Sequence, residues 1–160
     1  DGSGFSVEQK RLYDFYSKLL NFRLTNDAVN KGAFYDLMWV NPWYSNFDPQ
    51  YLYAFLRYHD EERLLVVINF NMNESRYCEV KIPQDALEYM RLQVTESPSQ
   101  QDNETQSQSQ RQSQRQSQSQ SPKVATEVFT GEKIEYDLNE VSSRGIAMTL
   151  EPASFKIFKL

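Results

Sequence analysis

YCEVKI, residues 77–82, puts Cys78, Val80 and Ile82 on one side of an extended chain and Tyr77, Glu79 and Lys81 on the other. Successive side chains of a strand point to opposite faces, so this alternation describes a strand with one face buried and one in water. KIEYDL at 133–138 repeats the pattern, with Ile134, Tyr136 and Leu138 set against Lys133, Glu135 and Asp137. Working outward, β-branched and aromatic runs recur at 34–39, 52–57, 63–70, 88–94, 126–129, 146–150 and 155–160. Turn-forming pairs such as Asn41-Pro42, Asp48-Pro49, Asn73-Glu74, Pro83-Gln84 and Gly131-Glu132 separate many of them. Many short strands with turns between them predict a mainly β fold, an antiparallel Greek-key β-sandwich. An aromatic share of 14% agrees with a pleated, ring-rich surface.

Residues 63–70 (RLLVVINF) break the alternation, because Leu64, Val66, Ile68 and Phe70 are matched by Leu65 and Val67 on the opposite face. Both faces need cover. Either a body outside the sandwich packs on this strand, or it is a central strand under a loop of its own domain.

Upstream the period changes from 2 to 3.6. Ser6 with Gln9 three residues later forms a capping-box pattern, and Leu12, Phe15, Tyr16, Leu19 and Phe22 then fall on one stripe. One amphipathic helix is expected over 5–24, with the β-domain following over 25–160. Residues 97–121 (SPSQQDNETQSQSQRQSQRQSQSQS) contain no apolar residue other than Pro98. Such a tract has too little apolar surface to offset its ordering entropy and is expected to be a disordered insertion between strands.

Lys+Arg 17 against Asp+Glu 22, with no basic cluster, argues against nucleic acid as a partner. The single Cys78 excludes an intramolecular disulfide, and with one His in the chain no thiolate or imidazole metal site is expected. No apolar run is long enough to cross a membrane, and any export signal is expected upstream of Asp1. No cofactor is implied. The acidic run Asp60-Glu61-Glu62 beside His59 lies between two strand segments and reads as a charged hairpin turn.

WVNPWY at 39–44 is the one segment suited to binding. Sugar rings expose an apolar C–H face on which Trp39, Trp43 or Tyr44 could stack, with Asn41, Asn46 and Asp48 near enough in sequence to take hydroxyls. Because Trp is highly buried on average, the favoured expectation is that Trp39 ends a core strand and Trp43 packs a loop or an interface.

LYDFYSKLLNFR at 12–23, with Asn26-Asp27-Ala28-Val29 and Gly32, resembles the last barrel helix and its exit in α-amylase-type enzymes of glycoside hydrolase family 13. YAFLR at 53–57, LLVVINF at 64–70, VFTGE at 128–132 and LEPASFKIFKL at 150–160 are similar to strands of that family's C-terminal β-domain. The resemblance implies that residues 1–24 end a catalytic (β/α)8 barrel and that 25–160 form an accessory domain packed on it. It also implies a parent that cleaves or rearranges α-glucosidic bonds of α-glucans, with an Asp nucleophile and a Glu acid on barrel strands absent here. No catalytic residue is assigned. On this reading Leu12, Phe15, Tyr16, Leu19, Phe22, Leu65 and Val67 face the barrel, which is the expected partner, and α-glucan is a second one. The alternatives are a free carbohydrate-binding module and an immunoglobulin-like interaction domain. Localisation stays open; secretion, the periplasm or the cell surface would follow if the parent digests external starch.

Overall fold

The computed structural model describes residues 4–91 and 122–160; the Ser/Gln-rich tract at 97–121 lies outside them. Helix α1 (Val7–Thr25) begins where the capping box places it: the Ser6 hydroxyl accepts from the Gln9 amide, and the Gln9 side chain accepts from the Ser6 amide. It ends at Asn26, whose side chain caps a one-turn helix α2 (Asp27–Asn30) by accepting from the Val29 amide. The strands follow as β1 (Ala33–Asp36), β2 (Leu52–His59), β3 (Glu62–Asn69) and β4 (Arg76–Val80). After helix α3 (Gln84–Tyr89) come β5 (Lys123–Glu127), β6 (Lys133–Tyr136), β7 (Ile146–Leu150) and β8 (Ser154–Lys159).

Every strand pair is antiparallel. Six strands form one sheet in the order β1-β2-β3-β8-β5-β6, and β4 pairs with β7 in a second. Among the described residues the fold is therefore mainly β with a single long helix, as the alternating segments predict. The sheets share a core in which Leu52, Ala54, Leu56, Leu65, Val67 and Phe158 of the first meet Cys78, Val80, Ile146, Met148 and Leu150 of the second. Burial pushes the Cys78 thiol up to about 12, which leaves it protonated and unreactive. His59 and Glu62 pair across the β2–β3 hairpin, with Asp60 in the left-handed region, so the acidic run is a hairpin turn.

Three expectations are corrected. Residues 88–94 do not open as a strand, because Ala86, Leu87 and Met90 are buried at helical spacing and Pro83, extended at φ −69°, leads into α3. Leu65 and Val67 do not face an outside body. The register sets Leu65 beside Leu56 and Phe158, and Val67 beside Ala54, so both point into the sandwich. It is Leu64 and Val66 that face outward, with Ile157 beside them, and Ala28 of α2 covers them. Lastly, Phe15, Leu19 and Phe22 are not free for a barrel alone. The Phe15 ring meets Phe155 at 5.7 Å and the Phe22 ring meets Phe129 at 5.4 Å, because those two rings extend the outer face of the six-stranded sheet under α1.

The helices reach this outer face through a tight corner at Gly32. A Cβ there would collide with the backbone carbonyls of Ala28 and Tyr58. Neither is a flexible side chain that could move aside. Gly32→Ala is expected to destabilise the chain by about 1–3 kcal/mol, read as a lower urea midpoint with the slope unchanged.

Candidate functional site

Two surfaces stand out. The first is the outer side of α1. No residue of this helix is fully buried. Its stripe of Phe15, Leu19 and Phe22 leans on the sheet, and Lys18 Nζ lies 4.5 Å from the Phe129 ring centroid. Together Phe15, Lys18, Leu19, Phe129 and Phe155 line a groove of about 360 Å³ between helix and sheet. On the other side, Tyr13, Tyr16, Leu20 and Leu24 follow one another at intervals of three and four and are exposed, as is Leu12 near the helix start. A helix with apolar stripes on two sides has a partner for only one of them here. Of the residues expected to face a barrel, Leu12 and Tyr16 are on the open side, while Tyr13, Leu20 and Leu24 were not among them. Their signal is a second i, i+3, i+7, i+11 stripe running beside the first.

The second surface is the turn after β1. Asn41 is fully buried and donates from its side chain to the carbonyls of Leu37 and Lys81, while accepting from the Lys81 amide. With both ends of its amide used, it is the pin of this turn and not a ligand contact. Since Asn41 points in, the residues two before and two after it are turned out. Trp39 is 54% and Trp43 84% exposed, so neither ends a strand or packs a loop. The Trp43 indole N–H donates to the Trp39 carbonyl at 3.0 Å, which fixes its plane. Tyr44 is different: Lys81 Nζ sits 3.2 Å from its ring centroid and covers a face. Asn46 is engaged with Glu79, and Asp48 accepts from the Gln50 amide and faces Arg76.

Three residues that sequence spacing could not connect complete this surface. The Tyr35 hydroxyl donates to Asp85 Oδ2 at 2.5 Å across fifty residues of chain, and the Trp39 side chain lies beside the same hydroxyl. Burial first, then the Asp85 contact, push the Tyr35 phenol up to about 12. Tyr89 stands 59% exposed beside them, with its ring 5.0 Å from Tyr58 and 6.4 Å from Tyr35. Among the described residues no group of three or more His, Cys, Asp or Glu could hold a metal ion, and no helix is long and apolar enough to cross a membrane.

Residues 43–132 match the family described as "Alpha amylase, C-terminal all-beta domain". The chain belongs to this family. The match runs from the exposed Trp43 through β2, β3, β4, α3 and β5 to Glu132, so the aromatic turn enters the C-terminal domain at its first matched residue. Among solved structures, the domain is similar to AmyP in complex with maltose, at 12% identity and a TM-score of 0.58 over 98% of this chain. It is also similar to the α-amylase from Geobacillus thermoleovorans complexed with acarbose (12% identity, TM-score 0.53, 92% of this chain). An Anoxybacillus α-amylase matches at 13% identity and a TM-score of 0.51 over 94% of this chain. At these identities the likeness is one of fold. The chain spans 22% of the length of each of these three structures. No curated protein matches the sequence.

Proposed function

We infer that this chain is the non-catalytic C-terminal domain of a glycoside hydrolase acting on α-glucans, and that it packs on and stabilises the catalytic barrel, to which residues 1–24 belong. The observation that carries this reading is the open stripe of Tyr13, Tyr16, Leu20 and Leu24 on a helix whose other stripe already rests on the sandwich. Burying one Leu-sized side chain stabilises by about 1.5–3 kcal/mol, so four such residues left in water favour a partner strongly. A helix that bridges two bodies is explained by a barrel on its far side. An independent carbohydrate module or an immunoglobulin-like domain has no use for it.

Hydrolysis needs two carboxylates set across the scissile bond, roughly 5–9.5 Å apart according to the stereochemical course. The best-buried acid, Glu127, is surrounded by its own chain's donors. It cannot double as an acid or a nucleophile. The isolated chain should therefore release no reducing sugar from starch, pullulan or maltooligosaccharides above a buffer control. Release that disappears when an acidic residue of this chain is replaced would overturn the reading.

A further inference from the structure

Trp39, Trp43, Tyr35, Asp85 and Tyr89 form a surface that the accessory role leaves unused. Tyr35 of β1 pairs with Leu56, on the inner side of the six-stranded sheet, whereas its neighbour Phe34 pairs with Arg57, which reaches α2 on the outer side. Helices α1 and α2 cover the outer side, and Tyr35, Tyr58 and Tyr89 gather on the other, at the β1 edge beside α3. The aromatic surface and α1 thus lie on opposite sides of the six-stranded sheet.

We propose that this surface is a glucan-binding platform, on which Trp43 and Trp39 stack sugar rings and Asp85, held by Tyr35, accepts the hydroxyl protons of the bound chain.

The chemistry favours a sugar over other occupants. A pyranose has an apolar face for an indole and a rim of O–H donors. Trp43 offers an open plane whose N–H is already fixed, so stacking does not require it to lose much side-chain freedom. Asp85 accepts one hydrogen bond from the Tyr35 hydroxyl and retains acceptor capacity for others, which sugar hydroxyls supply. A proline-rich segment would also stack on these rings, but it has no N–H to give the carboxylate. A phosphate-bearing ligand would be repelled by the carboxylate in a chain of net charge −5. The α-linkage of the glucan rests on the amylase reading above; the stacking itself does not.

Both tryptophans of the chain lie in this platform, so its fluorescence reports on the site without labelling. The 160-residue chain should be titrated with maltoheptaose, cellohexaose and a decaproline peptide, followed by tryptophan fluorescence and calorimetry. A saturable change with maltoheptaose is expected, weakened about tenfold or more by Trp43→Ala with the circular dichroism unchanged, since stacking on one ring is worth about 1.4 kcal/mol. Asp85→Asn, which keeps the Tyr35 contact, should weaken binding by a smaller factor and leave the Trp39 and Trp43 signals intact. The absence of saturable binding, or binding indifferent to Trp43→Ala, would overturn the proposal. Tighter binding of decaproline would reassign the surface to a peptide and overturn it as well. Equal binding of cellohexaose would overturn the α-linked assignment. None of these outcomes bears on whether α1 docks on a barrel, which hydrogen exchange tests separately.

Discussion

Glu127→Ala is expected to destabilise the domain by about 3 kcal/mol or more. Glu127 ends β5 and is only 3% exposed, yet it carries a carboxylate. One oxygen accepts from the Phe129 amide at 2.8 Å, the Thr130 amide at 2.6 Å and the Thr130 hydroxyl at 2.7 Å, and the other accepts from the Ile157 amide at 3.4 Å. These bonds fold the chain back between β5 and β6 and tie it to β8. Deleting the side chain leaves several donors without an acceptor, and an unsatisfied buried polar group costs about 1–3 kcal/mol. Glu127→Gln retains one acceptor oxygen for the Phe129 and Thr130 donors but turns an NH₂ toward the Ile157 amide, so a smaller loss of about 1–2 kcal/mol is expected. Urea unfolding of the three proteins gives the comparison.

The same residue predicts a pH dependence. Burial pushes its carboxyl up, but the Thr130 hydroxyl and the amides of Thr130, Phe129 and Ile157 outweigh burial and hold it below the ordinary value of 4.5. The folded state therefore binds the proton more weakly than the unfolded state. The stabilisation is present above the ordinary carboxylate range and is lost as pH falls through it toward the depressed folded value. Midpoints measured from pH 7 downward should fall more steeply in the native chain than in Glu127→Gln. Parallel acid limbs would show that Glu127 is not the group responsible.

Phe158→Ala should be at least as damaging, by about 3–5 kcal/mol. Phe158 is fully buried on β8, paired with Leu65 on one side and Glu127 on the other, at the point where the central strand β3 is joined to the last part of the chain. Removing its ring empties the middle of the shared core, where the sheets on both sides are held by hydrogen-bonded ladders and cannot close in fully. Phe155→Ala provides the contrast. That ring lies on the outer face against Phe15 and Phe129, so its loss should loosen α1 more than the sandwich and lower the urea midpoint less. Equal effects from both would contradict the assignment of β8's inner and outer faces.

The strands that sequence alone located well are those whose two faces differ. Tyr77 to Ile82 and Lys133 to Leu138 alternate apolar with polar, and the structure buries Cys78, Val80, Ile82, Tyr136 and Leu138 as the alternation requires. Residues 64–68 are apolar throughout, so a period of two can say which residues share a face but not which face is inside. That is why Leu65 and Val67 were expected at an interface while Leu64 and Val66 are the outward pair. Helix α1 was legible to its cap because the capping box is local chemistry between Ser6 and Gln9. Helix α3 was not, because Ala86, Leu87 and Met90 span little more than one turn beside residues that also suit a strand. At the aromatic turn, sequence singled out Trp39 and Trp43 and favoured a strand end for the first and a loop or an interface for the second, whereas both are exposed in this chain. What turns them out is Asn41, whose partners lie forty residues away on Lys81, and what joins them to Asp85 is a bond across fifty. Neither pairing leaves a trace in spacing.

We propose two partners for α1, of which the described residues supply one, the outer face of the six-stranded sheet. Hydrogen exchange of residues 6–23 tests it, compared between the 160-residue chain and a longer chain carrying the proposed barrel. A helix of this length depends on tertiary packing for most of its stability, and here it has packing on one stripe alone. Fast exchange of α1 is expected in the 160-residue chain, with strong protection of Leu64 to Asn69 in both and strong protection of α1 only when the barrel is present. Equal and strong protection of α1 in both chains would contradict the proposal, making the helix an integral part of a self-sufficient domain.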